Sequence, residues 1–401
     1  MKKEIIIALT IITIYFMPKQ VFASDGIHNT DSDIDFKNSN SNQILSNDED
    51  ILKEQEDNYG ISGFIKNAEK YSEEFDISEI FNSSVTGNFD NNKIIRTITT
   101  LLGKNIKEAI TTLIGVIVII IIHSILKSIS ENLGNESVSK IAYYIQYILI
   151  VTLVMKNFSN IITMIKSSIQ DLTAFSNSLI PLMSTLMIAT GNITTTSMIE
   201  PILIIIVTFI GNFITKALIP IILVATALEI TSKISDQVQV DKLSKYLKKG
   251  TIWVLTTVLT LFISIASLEG KLTSGVDGIT LKAGKSIVSA SVPVVGKILG
   301  DAVDTILGYG NIIKNSVGIV GIFVILGICI KPILNLTALT ITYYLGASLC
   351  QPIADEKIVN LIEQIAGTFK ILLAVMFTIT AMLIIGIAVV MRVSNSGVMY
   401  G

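Results

Sequence analysis

The chain holds 401 residues, 50% of them hydrophobic and only 15% charged, with a formal net charge of −2 and a mean hydropathy of +0.66. Soluble domains carry about 25% charged residues, so an ordinary water-soluble fold is excluded. The near-neutral balance gives no basic footprint and hence no nucleic-acid partner.

The chain opens with Lys2 and Lys3, an apolar run from Ile5 to Met17, and Val21-Phe22-Ala23. This order is that of a secretory signal over residues 1–23, cut after Ala23. An uncleaved anchor is the alternative, since Glu4 weakens the basic start. Residues 24–105 then form a polar tract on the outer side of the membrane. Its first part, to residue 60, is rich in Asn, Ser and Asp, a composition that predicts disorder. Near 61–82 the residues Ile61, Phe64, Ile65, Ala68 and Tyr71 recur at helical spacing. They predict one amphipathic helix or two short ones, a mere polar spacer being the other reading.

Residues 106–401 read as a polytopic membrane domain. A crossing takes about 20 apolar residues. Simple spans are expected at 109–126, 141–158, 172–189, 251–268 and 369–391. The runs 199–230 and 317–349 are too long for one crossing. Each is interrupted by a lysine shortly before a proline (Lys216 and Pro220, Lys331 and Pro332), so each is expected to fold as a tight hairpin. The fold class is therefore all-α, a transmembrane helical bundle of nine crossings, within a range of about 8–10. Five crossings place the Lys-rich stretch 232–250 in the cytoplasm, in keeping with the positive-inside bias. Nine place Arg392 there as well.

Pro181 and Pro293 are separated by 112 residues, as are Pro220 and Pro332. The spacing points to a duplication of 138–240 in 241–356, with chance alignment of prolines as the competing account. Within 285–309, Lys297, Asp301 and Asp304 share one helical face. This stretch reads as an interfacial or re-entrant helix, the other reading being a solvated face on which these charges merely pair with one another. Asp277, Lys297, Asp301 and Asp304 are the candidate channel-lining or partner-contact residues. Pro181, Pro220, Pro293, Gly296, Gly318, Gly321, Pro332 and Pro352 are candidate packing or hinge positions. Glu229 and Glu269 end apolar runs, where an interfacial position is the usual explanation. No catalytic, cofactor-binding or metal site is expected. Cys329 and Cys350 lie in apolar segments, His28 and His123 are far apart, and no phosphate-loop lysine motif occurs.

Several strings follow one another in order. They are Asp277-Gly278-Ile279-Thr280-Leu281-Lys282, Val292-Pro293-Val294-Val295-Gly296, Asp301-Ala302-Val303-Asp304-Thr305, Asn315-Ser316-Val317-Gly318-Ile319-Val320-Gly321 and Gln351-Pro352. In this succession residues 95–401 resemble the stage III sporulation protein AE family of endospore-forming bacteria. The resemblance implies a non-enzymatic, multi-pass subunit of a channel, or feeding tube, joining mother cell and forespore. It implies residence in the mother-cell membrane around the forespore and a need for the protein in late forespore gene expression. Implied partners are a secretion-type ATPase from the same operon, ring-forming proteins of the intermembrane space, and the lipid bilayer, with an oligomer of the chain allowed. The alternative function is a self-contained transporter built from the duplicated halves.

Overall fold

The structure is a computed structural model and describes residues 60–72, 75–86, 90–132, 136–234, 240–272 and 295–395. Side chains 295–306 and a number of others within the helices lie outside that description, as do the signal segment, Asp277 and Pro293. Among the described residues every regular element is helical. In chain order they are α1 (Ile61–Glu69), α2 (Ile77–Thr86), α3 (Asn91–Asn132), α4 (Glu136–Ala189), α5 (Ile193–Phe213), a π-turn (Ile214–Leu218), α6 (Ile219–Ile234), α7 (Asp241–Leu272), α8 (Val295–Cys350) and α9 (Glu356–Asn395).

Among the described residues six stretches are long and apolar enough to cross a membrane: Ile95–Ile122, Tyr147–Ala189, Ile193–Ser232, Asp241–Ala266, Leu307–Cys350 and Glu356–Arg392. Six continuous helices thus stand where nine crossings are expected. Neither hairpin forms. At Pro220 the missing N–H costs one helical bond; the chain responds with the wider π-turn just before it and runs on as α6. Pro332 is buried inside an unbroken α8, beside an exposed Lys331. The runs 141–158 and 172–189 likewise belong to one helix, α4, which passes through the exposed Pro181. Residues 295–309 are not a separate interfacial helix but the first turns of α8. The turn at Thr190–Asn192 contrasts with the unbroken helix 112 residues later, across 302–304, so the two stretches differ in shape there.

Real turns form where local chemistry stops a helix. After α4, Gly191 adopts φ 84, and its N–H reaches Ile188 O at 2.9 Å while that of Asn192 reaches Met187 O at 2.9 Å. This left-handed residue with two backward bonds closes the helix end, and α5 leaves antiparallel to α4. A 43-residue helix extends about 64 Å, twice the roughly 30 Å hydrocarbon thickness. The longest helices therefore tilt or project beyond the bilayer.

The core lies between α8 and α9, with α4 and α5 on one side and α6 and α7 on another. Small residues let the backbones close up. A methyl group added at Gly321 would run into the Leu179 side chain of α4, and one at Gly318 into Met391 of α9. Small-residue contacts of this kind carry helix packing where lipid removes the hydrophobic drive between helices. The amphipathic pair α1–α2 docks on this bundle. Phe64 and Tyr71 meet the ring of Phe175 on α4 (centroids 5.9 and 5.7 Å), and Phe75 meets Phe323 on α8 edge-on at 5.9 Å. Glu79 of α2 pairs with Lys93 of α3, and that bond raises the ammonium above its ordinary pKa. Both partners are exposed, so the pair positions more than it stabilises.

Contacts fix which segments share an end. Lys314 reaches Met391 O at 3.2 Å, and a methyl at Gly310 would touch Thr190. The α4–α5 turn and the end of α9 therefore lie together. Lys248, Glu229, Thr368 and the α8–α9 turn lie at the opposite end. The stretch 232–250 and Arg392 are thus at opposite ends of the bundle. The expectation that they share one side is corrected, because each expected hairpin is a single helix.

Candidate functional site

Two buried lysines mark the two ends of the core. At the first end, Lys248 on α7 donates to the Glu229 carboxylate on α6, to Thr368 Oγ1 on α9 at 2.7 Å and to Gln364 O at 3.3 Å. Thr226 and Thr368 share a further hydroxyl bond of 3.3 Å. Lys248 is 9% exposed and Glu229 4%. An isolated charge at that depth would cost several kcal/mol, about 3–5 on losing its partner. Here the ammonium has an acid, a hydroxyl and a carbonyl around it. Tyr147 donates to Ile230 O at 2.6 Å, which ties α4 to the same layer. Three helices are locked together by one ion pair, and Glu229 is buried here instead of interfacial.

Sequence reasoning did not find this pair. Its members are nineteen residues apart, on helices separated by the 235–240 connection, so no local spacing brings them together. The available signal was that Lys248 lies one helical turn after Lys245 and directly before a long apolar run.

At the other end, Lys314 on α8 is fully buried, with its amine on Met391 O at 3.2 Å. Among the described residues no carboxylate lies within ion-pair range of it. Between the two ends, α4, α5 and α9 line a narrow apolar cleft. Leu179, Met183, Leu203, Val207 and Met382 line it, and the half-buried Glu200 is the acid on its wall. Among the described residues no three His, Cys, Asp or Glu side chains cluster. Cys329 is buried and accepts a bond from the Thr380 hydroxyl at 2.9 Å, and Cys350 is buried as well.

The sequence-picked residues separate in the structure. Gly296, Lys297, Asp301 and Asp304 lie in the first three turns of α8 as a backbone run. Their side chains, together with Asp277 and Pro293, are outside the described set. Gly318 and Gly321 sit where α8 crosses α9 and α4. Pro352 lies exposed in the turn between α8 and α9.

An all-helical bundle with six membrane-length helices among the described residues defines a polytopic membrane protein. The profile of the stage III sporulation protein AE family matches residues 75–394, and the chain belongs to that family. Its match with the stage III sporulation protein AE of Bacillus subtilis (strain 168) is 27% identical over 284 residues, 71% of each chain. No solved structure matches. Family membership places the protein in sporulation.

Proposed function

We propose that the protein is a non-enzymatic, multi-pass subunit of a channel complex between mother cell and forespore, required for late forespore gene expression. The observation that carries this is the family match over 75–394, which takes in all six membrane-length helices. The docking of α1 and α2 on the bundle supports it, since the polar tract is then anchored to the membrane domain. In this reading the chain resides in the mother-cell membrane that surrounds the forespore. The end bearing Lys242, Lys245 and Lys249 faces the mother-cell cytoplasm, as the positive-inside bias asks. The opposite end and the polar tract that precedes α1 face the intermembrane space. There they meet ring-forming proteins, while a secretion-type ATPase docks on the cytoplasmic end. The charged face of Lys297, Asp301 and Asp304, with Asp277, contacts water or those partners. Gly296, Pro181, Pro220, Pro293 and Pro332 serve the bundle as packing or bending positions.

The cleft between α4, α5 and α9 favours one competing reading, a permease that works alone. Purification of the tagged full-length protein from sporulating cells separates the two. A channel subunit carries its operon partners with it, and vesicles holding the protein alone take up no solute. Solute uptake by those vesicles, with no partner retained, would reverse the assignment.

A further inference from the structure

A helix in contact with lipid turns apolar side chains outward, because a polar group facing hydrocarbon has no partner. The α4 helix breaks that rule for most of its length. From Lys156 to Thr185, about 44 Å of helix, none of the exposed positions carries a large apolar side chain. The exposed residues recur at helical spacing, among them Ser159, Thr163, Ser167, Gln170 and Asn177, and so form one continuous face. Exposed hydrophobics resume only beyond its ends, at Met155 and Ile188.

The polar face continues onto the neighbouring helix. Thr208 on α5 donates to Asn177 Oδ1 at 3.5 Å, and Gly211 abuts Thr173. A little further along, Asn212 and Lys216 are exposed on the stripe of Ile205 and Phe209, apart from the side that meets α4. The π-turn thus presents a lysine midway along a 40-residue apolar stretch.

The opposite flank of the bundle carries large apolar side chains at the same height. Phe158 meets Phe369 with tilted rings at 6.0 Å, next to Thr368, which receives Lys248. Residues 158 and 248 are therefore level, and α4 and α7 both run away from that layer. Further up, Phe262 of α7 approaches Gly386 of α9, and the adjacent Ile387 meets Gly321 beside Leu179 of α4, so 248–262 of α7 and 158–179 of α4 cover the same rise. Over that interval α7 exposes Ile252, Trp253 and Leu261, Trp253 at 69%, between the hydroxyls of Thr256 and Thr260. Across the same rise α4 exposes hydroxyls and amides and no large apolar side chain. The amphipathic pair α1–α2 sits on the polar side, with Lys66, Glu69, Lys70 and Glu79 exposed at mid-height of the bundle.

We infer that the bundle as a whole is two-faced: the exposed Ile205 and Phe209 stripe of α5 and the large side chains of α7 face lipid, and the polar face of α4 lines an aqueous pathway through the membrane. What passes along it rests on the channel-subunit reading; that the face is wet rests on the geometry. Lys156 and Lys166 against Asp171 give this lining a positive balance, which favours hydrated anions.

The test is thiol accessibility in membranes from sporulating cells, opened so that both surfaces are bathed. The full-length chain carries Cys329→Ala and Cys350→Ala, plus one added cysteine. Ser167→Cys, Gln170→Cys and Asn177→Cys probe the polar face; Ile205→Cys, Trp253→Cys and Ile265→Cys probe the apolar one. A charged, membrane-impermeant methanethiosulfonate is the reagent, and it needs water and an ionised thiol. The expected result is modification at the first three at least about tenfold faster than at the last three. Equal, slow modification of both sets would overturn the inference. So would unreactive polar-face cysteines that instead cross-link two copies, or cross-link a partner protein, on mild oxidation. Labelling does not depend on which partners co-purify, so this result and the subunit assignment can fail separately.

Discussion

The Glu229–Lys248 pair offers the sharpest check on the packing. Glu229→Gln leaves the Lys248 ammonium buried with only Thr368 Oγ1 and Gln364 O for partners. Lys248→Met leaves the Glu229 carboxylate equally stranded. Removing one member of a buried pair costs about 3–5 kcal/mol, because the survivor keeps its desolvation penalty. Replacing both with apolar residues of similar size removes the charge problem itself, and such exchanges are neutral or stabilising by about 1–4 kcal/mol. The double variant Glu229→Leu/Lys248→Met should therefore recover most of what either single change loses. The assay is a double-mutant cycle on unfolding in mild detergent, followed by the fluorescence of Trp253, the only tryptophan in the chain. The lost stability should also be insensitive to salt, since a pair this deep is poorly screened. Single-variant losses below about 1 kcal/mol that shrink further with salt would describe a surface pair. They would refute the buried layer joining α6, α7 and α9.

Two further predictions concern packing. Gly321→Val should lower stability by about 1–3 kcal/mol by wedging α8 away from Leu179 and Ile387. Gly250→Ala, where nothing lies within 4 Å of the added carbon, should raise it by up to about 1 kcal/mol; detergent melting curves check both. Phe175→Ala removes the ring that Phe64 and Tyr71 share. It should cost about 3–5 kcal/mol at that contact and speed limited proteolysis between α1 and α2, with the membrane bundle left intact.

The helices themselves were legible, since hydrocarbon-length apolar runs can be read directly, and all six contain a run picked out from composition. Their continuity was not. A lysine followed by a proline reads as a turn in water, yet in a bundle the freed carbonyl is tolerated and a π-turn absorbs the lost bond. Lys216 lies within the helix, in its π-turn, not at its end. The amphipathic stretch near 61–82 was legible as a helix or helix pair, and two helices form, the second running to Thr86. Its docking surface was hidden, because Phe175 and Phe323 lie more than 90 residues away on helices whose packing no local pattern encodes. The same holds for the core charges. Glu229 and Lys248 each look like a residue at a membrane boundary until the fold brings α6, α7 and α9 together. Gly318 and Gly321 stood out by composition, but what they admit, the side chains of Met391 and Leu179, emerges only from the crossing of helices.

The central claim is a bundle of six single-pass helices whose two ends are chemically distinct. Gln237→Cys and Gly401→Cys, each introduced alone into the cysteine-free full-length chain, test it by labelling sealed vesicles of known orientation with an impermeant reagent. The two positions should react from opposite sides of the membrane. Reaction of both from the same side would mean an even number of crossings between them and would restore the folded-back hairpin that the structure replaces with one helix.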